Sequence, residues 1–376
     1  MRILNVIGSL DPIHGGGTVE RTFQVSRFLA SAGQACTVLA LDLGLTRERM
    51  EAMAGVKVIV LPCLSRRLYL PRASFSQISR IVSDSDIIHL ISHWTLINAL
   101  VYYCARRQKK PYVVCPAGAL AILGRSRFLK KIYNLMIGKN IIRNASRSIA
   151  ISSNELSQFN FLGVKRESIS VIPNGVCLED YRARDDVAFR RAHRLPDNPF
   201  ILFVGRLNPI KGPDNLLRAF CAIKYKFPHH LVFAGPDDGM LGDLEKIVRQ
   251  NNAGDRVHFV GYLGGTQKSQ AYHAAELLVI PSRSEAMSIV VLEAGATATP
   301  VLITDQCGFD DIARIGGGAV VAANEEGLRD GLISLLSKPG ELKPMGAKLK
   351  HYTEQCFTWN AVAKNYIALY EEILGT

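Results

Sequence analysis

The sequence predicts an α/β protein made of two doubly wound parallel sheets, and three observations support this prediction. The chain has 376 residues, which is enough for two domains at roughly 100 to 200 residues each. Short β-branched runs alternate with longer amphipathic segments along its whole length, as in parallel strands joined by helices. The strand runs are near-continuously apolar, as expected for strands covered on both faces. We therefore expect two Rossmann-like domains that face a cleft.

Each half of the chain contributes its own series of predicted strands. The first series is 3–7, 36–41, 56–61, 87–91, 112–115, 148–152 and 169–172. The second series is 200–204, 230–234, 257–260, 277–280, 300–304 and 319–321. Helices are predicted over 19–32, after the first strand, and over 215–220. Because Pro173-Asn174-Gly175 lies between the two series, we place the join between the domains there.

The charge of the chain is unevenly distributed. Residues 1–180 hold 23 Lys and Arg against 11 Asp and Glu, whereas residues 181–376 hold 22 of each sign. The whole net charge of +12 therefore lies in the first half. A basic half suggests an anionic partner for one domain only, and charge alone leaves nucleic acid and acidic lipid both open. The 48% hydrophobic and 21% charged composition excludes a disordered or fibrous chain.

Cysteine usage and hydropathy indicate the compartment. The eight cysteines lie far apart, with no C-x-x-C pair and no His at zinc-ligand spacing, so we expect reduced core thiols. The first apolar run is too short for a signal segment and is interpreted as a buried strand. No window approaches 18 uninterrupted apolar residues, which argues against a membrane span. A cytoplasmic location is expected.

The first candidate site is the loop 205–212, between a predicted strand and a predicted helix. Arg206 and Lys211 lie at the carboxyl end of the strand, in a loop stiffened by glycines and prolines. Both cations can point to the mouth of the cleft beside a helix N-terminus, where an anion is favoured. This pattern predicts a diphosphate site. Two solvated surface cations are the competing interpretation.

The second candidate site contains two acidic residues. Glu293 stands alone in an apolar helix, where a carboxylate is costly without partners. The two hydroxyls of a ribose could both donate to it. Glu285 precedes the helix, so both acids are expected to approach one ligand. The competing interpretation places Glu293 on an exposed stripe of the helix.

These segments resemble the retaining glycosyltransferases of family four (glycosyltransferase group 1), which have the GT-B fold. The matching pattern is Gly-Arg-Leu followed by Lys-Gly, then Pro-Ser, Glu-x7-Glu-Ala and Pro-Val, in this order through the C-terminal half. The segment 171–176 belongs to this close match, the segments 15–21 and 86–89 match more loosely, and the resemblance also covers the end of the chain around Trp359. The resemblance implies an N-terminal acceptor domain over 1–176 and a C-terminal nucleotide-sugar domain over 177–356. It also implies that a last helix over 357–376 returns to the N-terminal domain.

The resemblance also implies roles for individual residues. Arg206 and Lys211 would hold the donor diphosphate, Glu293 the ribose, and Glu285 the donor sugar or a nearby phosphate. Arg206, Lys211 and Glu285 are thus the expected catalytic residues. The expected donor-binding set is Gly205, Arg206, Lys211, Glu285, Ser288, Ile289 and Glu293. No cofactor and no divalent metal are expected, because fixed cations and helix N-termini stabilise the leaving diphosphate.

The N-terminal domain departs from the family pattern. Its glycine run, Gly15, Gly16 and Gly17, could approach a phosphate or acceptor closely, or could simply be a flexible connector. Family members often have a His before Gly where this chain has Ala117 before Gly118. His89 and His93 are the nearest substitutes, although a core or surface histidine is the alternative for each. The expected acceptor or phosphate residues are Gly15, Gly16, Gly17, His89, His93 and Gly118.

A second departure concerns the donor sugar. Family members commonly carry Glu-Gly-Phe-Gly where this chain has Glu285-Ala-Met-Ser288. The shape around the sugar is therefore expected to differ, and the sequence leaves the donor's identity open. Asp84-Ser-Asp86 matches a metal-binding D-x-D, but it precedes its strand, whereas ligands gather at carboxyl ends. We interpret it as a solvated strand entry.

A basic segment over 125–139 interleaves cations with large apolar residues. A helix there would place Phe128, Leu129, Ile132, Leu135 and Met136 on one side, as in helices that lie on an anionic membrane. The expected membrane-facing cations are Arg125, Arg127, Lys130 and Lys131. The alternative is an amphipathic helix docked on its own domain with solvated cations.

The resemblance thus implies a retaining, metal-independent glycosyltransferase, and the basic segment suggests that it is peripheral on the cytoplasmic face of the inner membrane. It would move a sugar from a nucleoside-diphosphate sugar to a saccharide acceptor, lipid-linked in bacterial surface polysaccharide or glycolipid assembly. A nucleotide-sugar epimerase or hydrolase on the same fold is the alternative enzyme. A nucleic-acid-binding protein is the alternative of another class. No nucleic-acid partner is expected, because the basic half lacks a recognisable motif with exposed aromatics.

Overall fold

The computed structural model describes residues 1–120, 127–309 and 311–375. The chain forms two compact units. The N-terminal unit contains Met1–Asn174 together with Trp359–Thr376, and the C-terminal unit contains Gly175–Thr358. Within the described ranges, no helix has the length and apolar character needed to cross a membrane.

The strands follow the predicted alternation closely. Those of the N-terminal unit are β1 (Arg2–Val6), β2 (Ala35–Leu41), β3 (Lys57–Leu61), β4 (Cys63–Ser65), β5 (Leu70–Pro71), β6 (Ile87–Ile91), β7 (Tyr112–Cys115), β8 (Arg147–Ala150) and β9 (Ile169–Val171). Those of the C-terminal unit are β10 (Phe200–Val204), β11 (His230–Ala234), β12 (Val257–Gly261), β13 (Leu277–Ile280), β14 (Val301–Thr304) and β15 (Gly318–Val321). The short antiparallel pair β4 and β5 is an addition that the sequence did not predict.

Helices connect the strands. They are α1 (Gly16–Ser31), α2 (Arg47–Glu51), α3 (Phe75–Ser83), α4 (Leu96–Arg107), α5 (Arg127–Tyr133), α6 (Lys139–Arg143), α7 (Glu155–Phe161), α8 (Asp186–His193), α9 (Pro213–Ile223), α10 (Leu241–Gln250), α11 (Gly265–Ala274), α12 (Ile289–Ala296), α13 (Asp311–Ile315), α14 (Glu325–Leu336), α15 (Pro339–Cys356) and α16 (Trp359–Leu374). A π-helix, Asn134–Gly138, joins α5 to α6, and 3₁₀ turns cover Arg166–Ser168 and Leu178–Tyr181.

Both main sheets are parallel and doubly wound. Among the described residues, the N-terminal sheet has the order β3-β2-β1-β6-β7-β8-β9, and the C-terminal sheet has the order β12-β11-β10-β13-β14-β15. In the first, β1 pairs with β2 on one side and with β6 on the other, so that Ile3 lies opposite both Cys36 and Ile87. Each sheet reverses its strand order once. Ligands of such sheets bind at this switch point, outside the carboxyl ends of the strands.

The apolar runs are buried as their composition requires. Every residue of β6, β7, β11, β13 and β14 is buried. Burial of successive residues, which point to opposite faces, means that both faces of these strands are covered, and this explains why they lack an alternating polar pattern. The Asp84-Ser-Asp86 segment leads into β6, and Asp86 accepts hydrogen bonds from the guanidinium and backbone N–H of Arg2. The interpretation as a strand entry is confirmed.

The chain crosses between the units twice, next to Gly175 and next to Trp359. Inside the C-terminal unit, the N–H of Val176 donates to the carbonyl of Phe357 at 2.7 Å. Inside the N-terminal unit, the buried guanidinium of Arg21 donates to the carbonyls of Ile172 and Pro173 at 2.9 and 3.0 Å. These contacts fix the ends of the connecting segments within each unit.

The cysteines form no disulfide, and all eight lie within the described ranges. Cys36, Cys104, Cys115, Cys177 and Cys307 are buried, as predicted for core thiols. Cys63 and Cys221 are partly buried. The prediction is wrong for Cys356, which is exposed at the end of α15.

Candidate active site

The candidate site of the C-terminal unit lies where its sheet reverses strand order. Strand β10 has β11 on one side and β13 on the other. The segments that leave the carboxyl ends of β10 and β13 are therefore neighbours at the switch point. The first carries Arg206 and Lys211, and the second carries Glu285. The structure thus brings together the three residues that the sequence predicted as catalytic.

Two glycines shape the loop after β10. Gly212 has a φ of +65°, and a Cβ on it would lie 2.2 Å from the carbonyl oxygen of Pro281. Gly205 makes a similarly close approach, because its carbonyl oxygen would lie 1.8 Å from a Cβ on Gly235. Pro213, which needs no N–H donor there, then begins α9. The backbone therefore places Lys211 directly before a helix N-terminus.

Lys211 and Glu285 form an ion pair. The Nζ of Lys211 lies 2.8 Å from Oε1 of Glu285, and their side chains are 25% and 10% exposed. The hydroxyl of Ser282 donates to the same Oε1. An ammonium has three N–H donors, so Lys211 keeps donors for a further anion.

Buried polar groups of Thr304 and Cys307 support this pair through Ser282. Thr304, the last residue of β14, donates from Oγ1 to the carbonyl of Ser282 at 2.5 Å. The Sγ of Cys307 lies 3.3 Å from the same hydroxyl. Burial, with the nearby charge of Glu285, raises the pKa of Cys307 to about 12. This thiol is therefore neutral and packs beneath the site rather than acting as a nucleophile.

Arg206 lies at a more exposed position. Its Nη1 is 3.2 Å from Oδ2 of Asp238, and the two side chains are 40% and 47% exposed. Asn208 links this pair to the lysine, because its amide donates to Oδ2 of Asp238 at 2.9 Å while its Oδ1 accepts from the N–H of Lys211 at 3.1 Å. Both predicted diphosphate cations therefore belong to one connected network.

A second arginine fixes the shape of the loop. Arg283 follows β13, and its guanidinium donates to both oxygens of Asp214 at 2.8 and 2.7 Å. It also donates to the carbonyl of Pro209 at 2.7 Å and to Oδ1 of Asn215 at 2.8 Å. Its backbone N–H donates to the carbonyl of Ile210 at 2.7 Å. Although burial opposes the change, the hydrogen bonds from Arg283 lower the pKa of Asp214. We call these contacts the Arg283 clamp.

Glu293 is buried, and the competing prediction of an exposed stripe is wrong. The residue is 3% exposed in α12. Its Oε1 lies 2.5 Å from Nζ of Lys268, and its Oε2 accepts from the hydroxyl of Tyr272 at 2.5 Å. Burial and the charge of Glu293 raise the pKa of Tyr272 well above its ordinary value. The carboxylate therefore has protein partners on both oxygens.

The two other predicted donor residues begin the same helix. Ser288 precedes α12, is 1% exposed, and donates its N–H to the carbonyl of Cys307 at 3.2 Å. Its buried Oγ has no hydrogen-bond partner among the described residues. Ile289 is partly buried and is the first residue of α12. Both lie between the two acids along the chain.

The glycine run of the N-terminal unit begins α1 at that unit's own switch point. Gly15 donates its N–H to the carbonyl of Asp11 at 3.1 Å, and a Cβ on Gly15 would lie 2.4 Å from that oxygen. Gly16 has a φ of +65°, and both Gly16 and Gly17 are exposed. Gly15 therefore makes a tight turn, and Gly16 and Gly17 present the backbone to solvent.

A buried carboxylate holds the loop that follows β7. The Oε1 of Glu155 accepts from the N–H of Gly118 at 2.5 Å, and its Oε2 accepts from the N–H of Ile151 at 2.7 Å. Glu155 is fully buried, which raises the pKa of its carboxyl although these hydrogen bonds oppose the shift. Ala117 and Gly118 both have positive φ, at +50° and +85°. The amide of Gly118 is thus already occupied by Glu155.

The two candidate histidines are buried. His89 is fully buried within β6, and its Nδ1 lies 3.0 Å from the hydroxyl of Tyr370. Burial, with the charge of Arg21, lowers the pKa of His89 to about 3. The Nε2 of His93 lies 2.9 Å from Oδ1 of Asn134, and burial lowers the pKa of His93 to about 4. The structure places both inside the unit as neutral side chains, which favours the core interpretation over an acceptor contact.

The basic segment presents large apolar side chains to solvent. Leu135, Phe128, Met136 and Leu129 are 81%, 74%, 74% and 40% exposed. Lys131 is exposed, whereas the Nζ of Lys130 lies 5.5 Å from the centre of the Trp94 ring. The alternative of apolar side chains docked on their own domain is wrong for these four residues. Arg125 lies outside the described residues, and for Arg127 only the backbone, at the start of α5, is described. We call Phe128, Leu129, Leu135 and Met136 the apolar patch.

Metal ligands do not cluster in the part of the chain that the structure describes. No group of three or more His, Cys, Asp and Glu side chains there has the geometry to hold an ion.

Two family comparisons match the two units separately. Residues 185–355 match the family Glycosyl transferases group 1, and residues 16–175 match the Glycosyl transferase 4-like domain. A D-inositol 3-phosphate glycosyltransferase of Nocardia farcinica is 31% identical over 304 residues, covering 77% of this chain and 67% of that protein. The chain belongs to the group 1 glycosyltransferases. It spans 56% and 54% of the homologues from Catenulispora acidiphila and Rhodococcus jostii.

Solved structures of glycosyltransferases share the fold. Anabaena HepE, solved in complex with UDP and glucose, is 17% identical and has a TM-score of 0.82, covering 99% of this chain and 100% of its own. WaaG, a glycosyltransferase involved in lipopolysaccharide biosynthesis, is 17% identical with a TM-score of 0.71 and full coverage of both chains. These similarities show that this group 1 glycosyltransferase has the predicted GT-B fold of two parallel-sheet units.

Sequence reasoning missed the partners of the predicted residues. Lys268 and Tyr272 lie four residues apart on α11, a spacing that puts both on one helix face toward Glu293. Recognising that helix would have suggested them. Asp238 and Glu155 come from elements far away along the chain, and no local pattern predicts their contacts.

Proposed function

We propose that this glycosyltransferase moves a sugar from a nucleoside-diphosphate sugar to an acceptor hydroxyl, with retention of anomeric configuration and without a divalent metal. The observation that carries the proposal is the Lys211–Glu285 pair, 2.8 Å apart at the switch point of the C-terminal sheet. The complex of Anabaena HepE with UDP and glucose supports the donor class. Arg206 and Lys211 would hold the diphosphate, and Glu293 the ribose.

The geometry suits stabilisation of a leaving diphosphate. Charge accumulates on the β-phosphate as the bond to the sugar breaks, and preoriented cations stabilise that charge without reorganising. The carboxylate of Glu285 fixes the Nζ of Lys211, while the helix N-terminus after Gly212 adds its positive dipole end. In the retaining reaction, the acceptor hydroxyl attacks from the face that the diphosphate leaves, and a phosphate oxygen takes its proton.

A binding screen tests the donor class. UDP, GDP, ADP and their glucose conjugates would be added to the purified protein, and the melting temperature followed, because a ligand of the folded state raises it. We expect one nucleoside diphosphate to give the largest shift. Lys211→Met should reduce that shift, whereas Lys246→Met, which changes an exposed lysine on α10, should preserve it. Equal shifts for both variants would contradict the assignment of Lys211.

Turnover assays test the reaction itself. Nucleotide release should be much faster with a saccharide acceptor than without one, and the anomeric proton of the product should show the configuration of the donor. The rate should be unchanged in EDTA. Equal rates with and without acceptor would instead indicate a hydrolase or epimerase. An inverted product would contradict retention, and loss of activity in EDTA would contradict metal independence.

The acceptor is proposed to be lipid-linked, as in surface polysaccharide or glycolipid assembly. The stretch between Asp86 and Glu155 holds 11 Lys and Arg and no acidic residue. The apolar patch lies in this stretch, beside the exposed Lys131. Apolar side chains between cations are suited to an anionic membrane interface. Burial of the apolar side chains and attraction of the cations to anionic headgroups both strengthen binding there. The role of WaaG in lipopolysaccharide biosynthesis supports this acceptor class.

Vesicle binding tests this part of the proposal. The protein should sediment with vesicles of phosphatidylglycerol and phosphatidylcholine at low salt, and much less with phosphatidylcholine alone. Replacing Phe128, Leu135 and Met136 together by Ser should abolish binding, whereas Tyr225→Ser, which removes an 87% exposed ring of the C-terminal unit, should not. Absence of binding to anionic vesicles would contradict the membrane contact. Salt-sensitive binding to random DNA, without any nucleotide binding, would favour the nucleic-acid alternative.

A further inference from the structure

The buried carboxylate of Glu293 is reached through a lysine. The side chain of Glu293 is 4% exposed, whereas that of its partner Lys268 is 24% exposed. Tyr272, on the other carboxylate oxygen, is fully buried. Of the three side chains in this cluster, that of Lys268 is therefore the most exposed.

The cluster balances the charge of the carboxylate and still leaves hydrogen-bonding capacity. An ionised carboxylate has about four acceptor positions, and the Lys268 and Tyr272 contacts occupy two of them. The ammonium of Lys268 has three N–H donors, of which one points to Oε1 of Glu293. The nitrogen and the oxygen that carry the remaining donors and acceptors thus lie 2.5 Å apart.

A vicinal diol matches this arrangement. Each hydroxyl can donate to a carboxylate and at the same time accept from an ammonium. A single carboxylate uses only the first of these capacities, whereas a carboxylate with an adjacent ammonium uses both. Buried polar groups that lose one partner are left unsatisfied, which is why such sites reject ligands that lack a hydroxyl.

We propose that Lys268 is a specificity-determining residue, which donates to the ribose 2′-hydroxyl that Glu293 accepts from. This inference rests on the proposed nucleoside-diphosphate donor and adds a second recognition residue to it. Lys268 has two effects in this arrangement. It keeps the buried carboxylate paired, and it distinguishes a ribose from a 2′-deoxyribose.

Comparing the affinity for a ribonucleotide with that for its 2′-deoxy form measures how far Lys268 discriminates between the two sugars, separately from its pairing with the carboxylate. Dissociation constants would be determined by calorimetry for UDP, GDP and ADP and for their 2′-deoxy counterparts. The wild-type protein should bind its preferred ribonucleotide about ten-fold more tightly than the deoxy form. In Lys268→Met, this ratio should fall about five-fold, in addition to any general loss of affinity.

Conservative and matched variants exclude a merely structural effect. Lys268→Arg, which keeps the charge and the donors, should restore most of the discrimination, and Lys268→Gln, which keeps a donor at similar size, should be intermediate. Lys246→Met should retain the wild-type ratio, because Lys246 is an exposed lysine on α10. Melting temperatures of all variants would be measured in parallel.

The outcomes separate this inference from the proposed function. A Lys268→Met protein that loses affinity for both nucleotides by the same factor would show that Lys268 only balances charge, which overturns the inference. A Lys268→Arg protein no better than Lys268→Met would overturn it as well. If the wild-type protein binds no nucleoside diphosphate, the proposed function fails, and the inference fails with it.

Discussion

The Arg283 clamp gives a quantitative test of how the lysine loop is positioned. Arg283→Met removes its side-chain hydrogen bonds to Asp214, Pro209 and Asn215. Hydrogen bonds to charged groups contribute about 1.5 to 3 kcal/mol each when buried. Because Arg283 is 36% exposed, solvent screening reduces the sum, and we expect a loss of about 2 kcal/mol in the free energy of unfolding.

The expected effect on turnover is larger than the effect on stability. Pro209 lies two residues before Lys211, and its carbonyl accepts from the guanidinium of Arg283, a hydrogen bond that Arg283→Met removes, whereas the backbone bond from Arg283 to Ile210 remains. A displacement of about 1 Å in a positioned group can cost about 100-fold in rate. We therefore expect kcat/KM for the nucleotide-sugar donor to fall about 100-fold, which corresponds to about 2.7 kcal/mol.

A double-variant cycle identifies the route of this effect. If the clamp acts through Lys211, then adding Arg283→Met to a Lys211→Met protein should change nucleotide release little, since the coupled group is already absent. Arg314→Met is the matched control. It breaks an Arg–Asp pair of the same unit, with Asp311 at 2.8 Å, at an exposed position on α13. Fully multiplicative losses in the double variant would refute the reasoning.

Three further predictions concern the site and the N-terminal unit. Glu285→Gln should lower kcat/KM about 100-fold, because Lys211 loses the carboxylate that fixes it, with less than about 1 kcal/mol change in stability; unchanged donor kinetics would contradict this role. Glu155→Ala should lower the free energy of unfolding by about 3 kcal/mol in urea titrations, since two hydrogen bonds to a buried carboxylate disappear. A loss below about 1 kcal/mol would contradict this stabilising role of Glu155. Because the pKa of His89 is about 3 in the folded chain, its imidazole is protonated between pH 6.5 and 3 in the unfolded chain but not in the folded chain. Stability should thus fall as the pH decreases below about 6.5, and His89→Gln should reduce the loss between pH 7.5 and 5.5 by about 1.4 kcal/mol. An identical pH dependence in both proteins would argue against this.

The sheets and the switch point could be predicted from sequence because they depend on local patterns. Buried parallel strands need continuous apolar runs, and the predicted runs 87–91, 112–115, 200–204, 230–234 and 277–280 coincide with β6, β7, β10, β11 and β13. Once the strands are known, the loops that follow them at the carboxyl edge are known too. The positions of Lys211 and Glu285 follow from this rule.

Contacts between distant elements could not be predicted in this way. Asp238 follows β11 and meets Arg206 after β10, which depends on the order of strands rather than on spacing. Glu155 reaches Gly118 across 37 residues of chain. The hairpin of β4 and β5 was not predicted for another reason, because its strands have too few residues for an alternation of apolar and polar residues to be recognised.

The basic segment shows how one local irregularity changes a helix face. The prediction assumed 3.6 residues per turn across the whole segment and so aligned Ile132 with Phe128 and Leu135. The π-helix Asn134–Gly138 inserts wider turns with i→i+5 hydrogen bonds. In the structure Leu135, which lies inside the π-helix, is 81% exposed, whereas Ile132 in the preceding α5 is partly buried. No residue type in the segment signals a π-helix.

The charged groups of the candidate site are paired with one another, and this pairing explains how cations can gather there. Lys211, Arg206 and Lys268 each lie within 3.2 Å of a carboxylate oxygen. Uncompensated cations so close to a helix N-terminus would repel one another and oppose folding. The carboxylates remove this cost and also fix the cations in place, while each cation keeps N–H groups for a ligand. The donor diphosphate that we propose would bind by adding hydrogen bonds to this ordered network, so that little of its binding energy would be spent on ordering side chains.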